Sequence, residues 1–351
     1  MPFDLAAGLS SRTFRLTALT LGWLLLISWL HYRLNIHESP RRIVRLGYMP
    51  VITNLAAPLL DYASARSDSA VRFRAIKFAS FAEMAEALRN DEIQAAFIIA
   101  PLSIVLRQQG EGVKVVYIGN RHESTLVARK DLSIKNFRDL AGHTVAVPMR
   151  FSGHNLSLLH MIDEMGLQDQ INIVEMNPPD MASALASGSL DAYFVGEPFA
   201  AQTLKANVSD LVLYVESTWP GFICNLLLVQ QAFIKTDTAA VQTLVQGAVR
   251  SGLWARRYRE EAVEIASRYW GQPKDLVAYA MNTPVDRIVF DRYVPIKAEL
   301  QKMADLMKKY GLVKSAVIDG LIDAHFAKQA DTSDLTADIA SILNKSPVAS
   351  P

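Results

Sequence analysis

Four short stretches place polar or helix-starting residues where a strand pattern gives way to a helix pattern: Thr53-Asn54, Ala100-Pro101-Leu102, Ser152-Gly153-His154-Asn155 and Glu197-Pro198. A helix start presents unpaired N–H groups and a partial positive charge, so each stretch is a candidate contact for a small polar or anionic solute. The third is the strongest. Ser152 can cap a helix whose apolar face is Leu156, Leu159, Ile162 and Met165, with Gly166 near its stop, leaving Gly153, His154 and Asn155 to present backbone donors. Arg150 lies just before the turn, so a docked anion would meet N–H groups, an imidazole and a guanidinium. Local pattern alone favours an ordinary Ser cap with a solvent-facing histidine. Glu197 pulls against a simple anion site, because a buried carboxylate repels an anion unless a proton, a cation or a positive ligand group intervenes. A helix-start carboxylate serving the dipole fits that residue at least as well.

Signs of catalysis are sparse. The sequence holds no G-x-S-x-G, H-E-x-x-H, Walker A or G-x-G-x-x-G pattern. Its single cysteine, Cys224, excludes an intramolecular disulfide, a cysteine zinc cluster and Cys-x-x-Cys redox chemistry. His122-Glu123 with His154 would form an acid/base pair only if the fold brought them together, and solvated loop residues explain them better. A metal site from His154, Glu197 and a further oxygen ligand is a lesser alternative. The expectation is a non-catalytic protein with no metal and no cofactor.

The elements that must position these residues follow from composition and pattern. Half of the 351 residues are apolar, and 36 Lys and Arg stand against 35 Asp and Glu. That balance argues against disorder and against a general nucleic-acid binder. The length suggests two lobes. Strand patterns cover 43–48, 71–78, 95–99, 113–118, 144–147, 171–176, 192–195 and 211–215, with helical patterns between most of them, which predicts α/β lobes with largely parallel sheets. After Phe233 the spacing is helical through 239–256, 259–270 and 291–310. Met303, Leu306, Met307 and Tyr310 read as core, Trp254 to Arg259 as a helix with a basic outer face, and the closing SPVASP as frayed.

The N-terminus is different. Leu16 to Leu30 is an uncharged apolar run, and extended to Phe14 and Tyr32 it approaches the hydrocarbon thickness of a bilayer, with Trp23, Trp29 and Tyr32 as interfacial aromatics. Neither a small-residue cleavage site nor a lipid-carrying cysteine follows it, which predicts an uncleaved signal-anchor. Arg12 and Arg15 before the run are outnumbered by Arg33, Arg41, Arg42 and Arg45 after it, a charge count that opposes an outside location for the large domain. Residues 33–42 read as a linker through Ser39-Pro40.

An internal repeat organises the rest. Residues 83–101 align without a gap on 180–198, with identities at Met84/Met181, Ala85/Ala182, Ala87/Ala184, Leu88/Leu185, Ala95/Ala192, Phe97/Phe194 and Pro101/Pro198. Each copy reads as a helix feeding a buried strand that ends in a proline suited to the first turn of the next helix. Two similar lobes follow.

FSGHNLSLLHMIDEMGL, NPPDMASALASGSLDAYFVGEPFAAQ and TWPGF resemble the second lobe of ABC-transporter substrate-binding proteins of the nitrate, bicarbonate and sulfonate/taurine type. RLGYMPVITNLAAPLLDYA resembles the opening of the first lobe. The resemblance spans about Ile43 to Ala330. It implies a two-lobed, periplasmic-binding-protein-like α/β fold (type II, Venus-flytrap), here preceded by a transmembrane helix. The lobes would be 43–128 with 221–330, and 129–220, after an anchor and linker at 1–42 and before a tail at 331–351. Crossovers would lie near Thr125–Lys130 and Gly221–Leu228. It further implies ligand contacts at Thr53, Asn54, Ser152, His154, Asn155, Glu197 and Trp219, to which the corner positions Pro101 and Gly153 are added. The implied role is solute capture for a membrane permease and its ATPase subunit, by a monomer held at the inner membrane with its large domain outside the cytoplasm. Phe199 stands where nitrate-type relatives often have Trp, which leaves the solute open. A sensor or small-metabolite enzyme on the same clamshell is the alternative.

Overall fold

The computed structural model describes residues 12–35 and 41–343, so Ser39-Pro40 and the closing SPVASP lie outside the described residues. Two compact units are present, one ending at Arg42 and one starting at Ile43.

Among its described residues the first unit holds a helix, α1 (Arg12–Asn35). Its segment Phe14–Tyr32 is long and apolar enough to cross a membrane, and none of it is buried within the protein. Consecutive residues from Trp23 to Ile27 are all exposed, so the helix is apolar on every side. Thr20 donates its hydroxyl to the carbonyls of Leu16 and Thr17 at 2.8 and 3.0 Å. Internal satisfaction of this kind is what a hydrocarbon surrounding demands of a polar side chain.

The second unit opens with β1 (Arg42–Tyr48), α2 (Ala56–Ser64), β2 (Val71–Lys77), α3 (Phe81–Arg89), β3 (Ala95–Ile99), α4 (Ala100–Gln108) and β4 (Val113–Ile118). It continues with β5 (Ser124–Arg129), β6 (Thr144–Val147), α5 (Gly153–Met165), β7 (Asn172–Glu175), α6 (Pro178–Ala186), β8 (Ala192–Gly196), α7 (Phe199–Lys205) and β9 (Ser209–Tyr214). Then come β10 (Asn225–Gln230), α8 (Gln231–Thr236), α9 (Thr238–Arg257), α10 (Arg259–Trp270), α11 (Lys274–Asn282), α12 (Lys297–Lys309) and α13 (His325–Lys328).

These strands make two five-stranded sheets of matching plan, β2-β1-β3-β10-β4 and β7-β6-β8-β5-β9. The repeat is visible in the elements themselves: α3 and β3 recur as α6 and β8, displaced by 97 residues at both ends of both elements. β3 and β8 are buried along their whole length and hold the same place in the two sheets. Each sheet contains one antiparallel strand, β10 in the first and β5 in the second. The chain leaves the first sheet after β4 and its next strand, β5, joins the second; it leaves the second after β9, and β10 joins the first.

The expected crossovers therefore shift. Thr125–Lys130 is mostly strand β5, and the crossing proper is 119–123; the return runs over 215–224, and β10 begins at Asn225. Both strands are buried on both faces, so neither shows the polar alternation that marks a half-exposed strand. The prolines of the repeat also differ. Pro101 lies in the first turn of α4, whereas Pro198 precedes α7 as its cap residue, after a cis peptide bond from Glu197. The helical third differs in detail: α11 was not expected, and 291–296 is irregular, with α12 starting beyond Pro295. Part of the expected tail is fastened down. Arg250 donates to the carbonyls of Asp331, Ser333 and Ser341 at 3.0, 2.6 and 2.8 Å, which holds residues 331–341 against α9.

Apolar packing does not stop at the seam between the sheets. One cluster joins Ala96, Ile98 and Val115 of the first sheet to Val127, Tyr193 and Val195 of the second, together with Leu300, Met303 and Met307 of α12. The first crossing starts in a tight place, because a Cβ on Gly119 would come within 2.5 Å of the Thr53 carbonyl oxygen. Gly119→Ala is expected to lower stability by about 1–3 kcal/mol through overpacking. Gly112→Ala, whose Cβ would meet nothing nearer than 3.8 Å, is the matched control. Urea unfolding of both variants checks this, and equal midpoints would contradict it.

Candidate functional site

The carboxyl ends of β1, β6 and β8 and the two crossings bring one buried polar cluster together. After β1 the chain makes a short turn, Ile52–Asn54, that starts α2. After β6, Ser152 caps α5, its hydroxyl accepting from the Asn155 N–H at 3.1 Å. After β8, the Ile52 N–H donates to the Glu197 carbonyl at 2.8 Å, so the turns of the two sheets touch directly.

Glu123, on the first crossing, is at the centre and was seen in the sequence only as half of a speculative pair. It is fully buried. One carboxylate oxygen accepts from the Glu197 N–H at 2.6 Å; the other lies 3.3 Å from the Ser124 hydroxyl and 3.5 Å from that of Thr53. Gly196 makes room for it, since a Cβ there would fall 2.7 Å from a Glu123 oxygen. His154 Nε2 lies 2.9 Å from the same Ser124 hydroxyl and 3.8 Å from Cys224 Sγ. The expected pair is thus split: Glu123 reaches His154 through Ser124, while His122 turns away and accepts from the Gly221 N–H at 2.8 Å.

Glu197 is buried beside this group. Its carboxylate accepts from the Thr125 hydroxyl at 2.7 Å and from the Ala201 N–H at 2.8 Å. The second bond is the helix-start role, here on α7. Arg287, which no local motif singles out, arrives from beyond α11. It donates to Glu216 at 2.8 Å, to Thr125 at 3.0 Å and to the Ser124 carbonyl, lies 3.9 Å from Glu197 and covers the Tyr214 ring at 4.0 Å.

Other expected contacts are occupied locally. Asn54 donates to the Met49 carbonyl at 3.0 Å and accepts from Asn225 at 2.6 Å, and Asn155 donates to the Arg150 carbonyl at 2.8 Å. Pro101 is buried in α4 and supplies shape but no donor. Gly153 allows α5 to approach the return crossing, because a Cβ would sit 2.7 Å from the Phe222 ring. Trp219 is half-buried on that crossing, packed against Phe222 and His160 with the Lys302 ammonium 5.6 Å from its ring centre. Arg150 is exposed and stacks on Phe151, and His154 is buried between Phe194 and Phe222 rather than facing solvent.

Burial sets the charge states. It lowers the His154 pKa to about 3, so the imidazole is neutral and offers no cation to an anion. It raises Glu123 to about 7, with Glu197 adding to the shift and the Cys224 thiol and Glu197 N–H opposing it. Glu197 also moves up through burial, against the Thr125 hydroxyl and Arg287. The Cys224 thiol is pushed up by burial and by Glu123, so it stays protonated. Ser124 and His154 have the spacing of a nucleophile and base, yet Nδ1 of His154 has no partner to orient it. Among the described residues no three His, Cys, Asp or Glu side chains are placed to hold a metal ion.

Two sheets of this strand order, joined by two crossings, are the architecture of periplasmic binding proteins. The structure matches the ligand-binding component of an ABC-type import system from Staphylococcus aureus, solved with zinc bound, at TM-score 0.75 and 18% identity over 83% of this chain and 100% of that one. It matches the periplasmic nitrate-binding protein NrtA from Synechocystis at TM-score 0.72 and 14% identity, over 82% and 88%. It matches the periplasmic aliphatic sulphonate binding protein SsuA from Escherichia coli at TM-score 0.65 and 21% identity, over 80% and 96%. The chain belongs to the NMT1-like family, whose pattern covers residues 37–269. Putative aliphatic sulfonates-binding proteins are similar in sequence: that of Escherichia coli is 27% identical over 60% of this chain and 66% of its own length, that of Bacillus subtilis 24% over 74% and 79%.

Opposed titrations follow from the two central groups. A carboxyl that binds its proton more tightly when folded loses stability as pH rises from the unfolded value, about 4.3, through the folded value of about 7. A histidine held neutral loses stability as pH falls from its unfolded value, about 6.5, toward about 3. Glu123→Gln should therefore gain on the wild type by on the order of 3–4 kcal/mol as pH rises across its window, and His154→Gln should gain as pH falls across its own. Urea denaturation at fixed ionic strength measures both, and differences that do not change with pH would refute the assignment.

Proposed function

We propose that this protein is the solute-binding component of an ABC importer, capturing a small anionic, sulfonate- or nitrate-like solute between two lobes and delivering it to a permease and its ATPase. The observation that carries this reading is the convergence of turns from both sheets on one polar cluster at the seam, in a chain whose relatives are named for sulfonate binding. The first sheet with the C-terminal helices forms one lobe and the second sheet the other, with the crossings at 119–123 and 215–224 as the hinge. The contact residues are Thr53, Ser152, Gly153, His154, Glu197 and the newly recognised Glu123 and Ser124. Asn54, Asn155 and Pro101 shape the turns that hold them. Segment Phe14–Tyr32 anchors a monomer at the inner membrane with the large domain in the periplasm, which raises its effective concentration near the permease. The protein is a receptor rather than a catalyst, in keeping with a protonated thiol and an imidazole that lacks an orienting acid.

Thermal-shift measurement on the full chain with ethanesulfonate, 2-aminoethanesulfonate, nitrate and bicarbonate tests this. One of them should stabilise the protein by about 2–3 kcal/mol at a hundredfold excess over Kd. Thr53→Val should weaken that solute by about three- to tenfold, the scale of one hydrogen bond. Trp219 lies on the return crossing, so closure should change its fluorescence, and Trp219→Phe should remove the change. Turnover of a bound solute without a transporter would reject the receptor reading.

A further inference from the structure

The charge count at the seam is uneven. Glu123 and Glu197 are both buried, and a third carboxylate, Glu216, competes for the guanidinium of Arg287. Arg287 is committed to Glu216, Thr125 and the Ser124 carbonyl. The groups that face Glu123 are the Glu197 carboxyl and N–H from the turn after β8, the Cys224 thiol from the return crossing, Arg287 from the segment after α11, and His154 of α5 through Ser124. The thiol and the imidazole are neutral. An anion bound at this seam would add to a surplus of negative charge in a poorly screened interior.

The bonding also says where relief comes from. Burial pushes Glu197 up, but an N–H group, a hydroxyl and the nearby guanidinium all oppose that shift. One oxygen of Glu123, in contrast, faces the hydroxyls of Thr53 and Ser124, which can turn from donating to accepting. A carboxylic O–H placed there finds an acceptor without movement of the chain. Resting on the reading of an anionic solute given above, we propose that capture of the anion is accompanied by uptake of one proton from solution onto the Glu123 carboxylate. The proton converts a repelling neighbour into a hydrogen-bond donor. Burial holds this carboxyl up at about 7, which puts the uptake in an accessible pH range.

The test is isothermal titration of the full chain in detergent with ethanesulfonate and with nitrate. It is run between pH 7 and 9 in two cationic buffers, triethanolamine and Tris, whose ionisation enthalpies differ. Above pH 8 the buffer dependence should report close to one proton taken up, and affinity should fall about tenfold per pH unit. Glu123→Gln should bind with no proton uptake and a flat profile. Wild-type binding with no proton exchange, or proton uptake that persists in Glu123→Gln, overturns the proposal while leaving anion capture intact. Should Glu123→Gln fail to fold, the wild-type proton count decides. Failure of both anions to bind at any pH overturns the solute class and this proposal with it.

Discussion

Passing the chain twice between two sheets forces polar groups into the interior, and Glu123 is the group on which that constraint falls. It sits on the first crossing, fully buried, where an unpartnered carboxylate would cost several kcal/mol. Its partners come from every direction the topology supplies: the turn after β1 through Thr53, the turn after β8 through the Glu197 N–H, and the return crossing through Cys224. Gly196 and Gly119 are the space that this arrangement needs, one beside the carboxylate and one where the crossing leaves β4. The seam is therefore a single hydrogen-bonded unit, and a change in any of its members is felt on both sheets.

Much of this architecture was legible in the sequence because it is written in local pattern. The 97-residue repeat reappears in the element bounds, and β3, β4 and β6 lie where their apolar runs placed them. The Ser152 cap and the left-handed Gly166 stop of α5 were legible for the same reason, since capping chemistry acts within one turn. What escaped was non-local. β5 and β10 look like connections in one dimension because their partners lie far along the chain, and only pairing makes them strands. Arg287 reaches Thr125 across more than 160 residues, a distance over which no sequence spacing informs. In sequence the Glu197-Pro198 corner stands out as a helix start carrying a carboxylate, whereas the backbone N–H of Glu197 is what serves Glu123.

The histidine shows how burial rewrites a motif. Next to a helix start and an arginine, His154 reads in sequence as a ready-made anion contact. Packed between Phe194 and Phe222 it is neutral, and the guanidinium of Arg150 is outside on Phe151. The corner keeps its helix N-terminus and its polar ring but lacks a full positive charge. A solute there must be held by hydrogen bonds and oriented dipoles, which favour shape and donor geometry over net charge.

Closure has its own energetic logic. The apolar cluster that unites the two sheets and α12 holds fully buried residues of both, such as Ile98 and Val195, so parting the lobes disturbs a shared core. At roughly 25 cal/mol for each Å² of apolar area, wetting even a modest patch of it costs several kcal/mol. A solute shifts the balance only by the difference in its contacts with the two forms. Groups that touch both sheets at once are the ones that create such a difference, and the Thr53–Glu123–Ser124–His154 chain does so. An opening hinge must break that chain and wet the carboxylate at its centre. Polar recognition and lobe closure thus draw on the same few bonds.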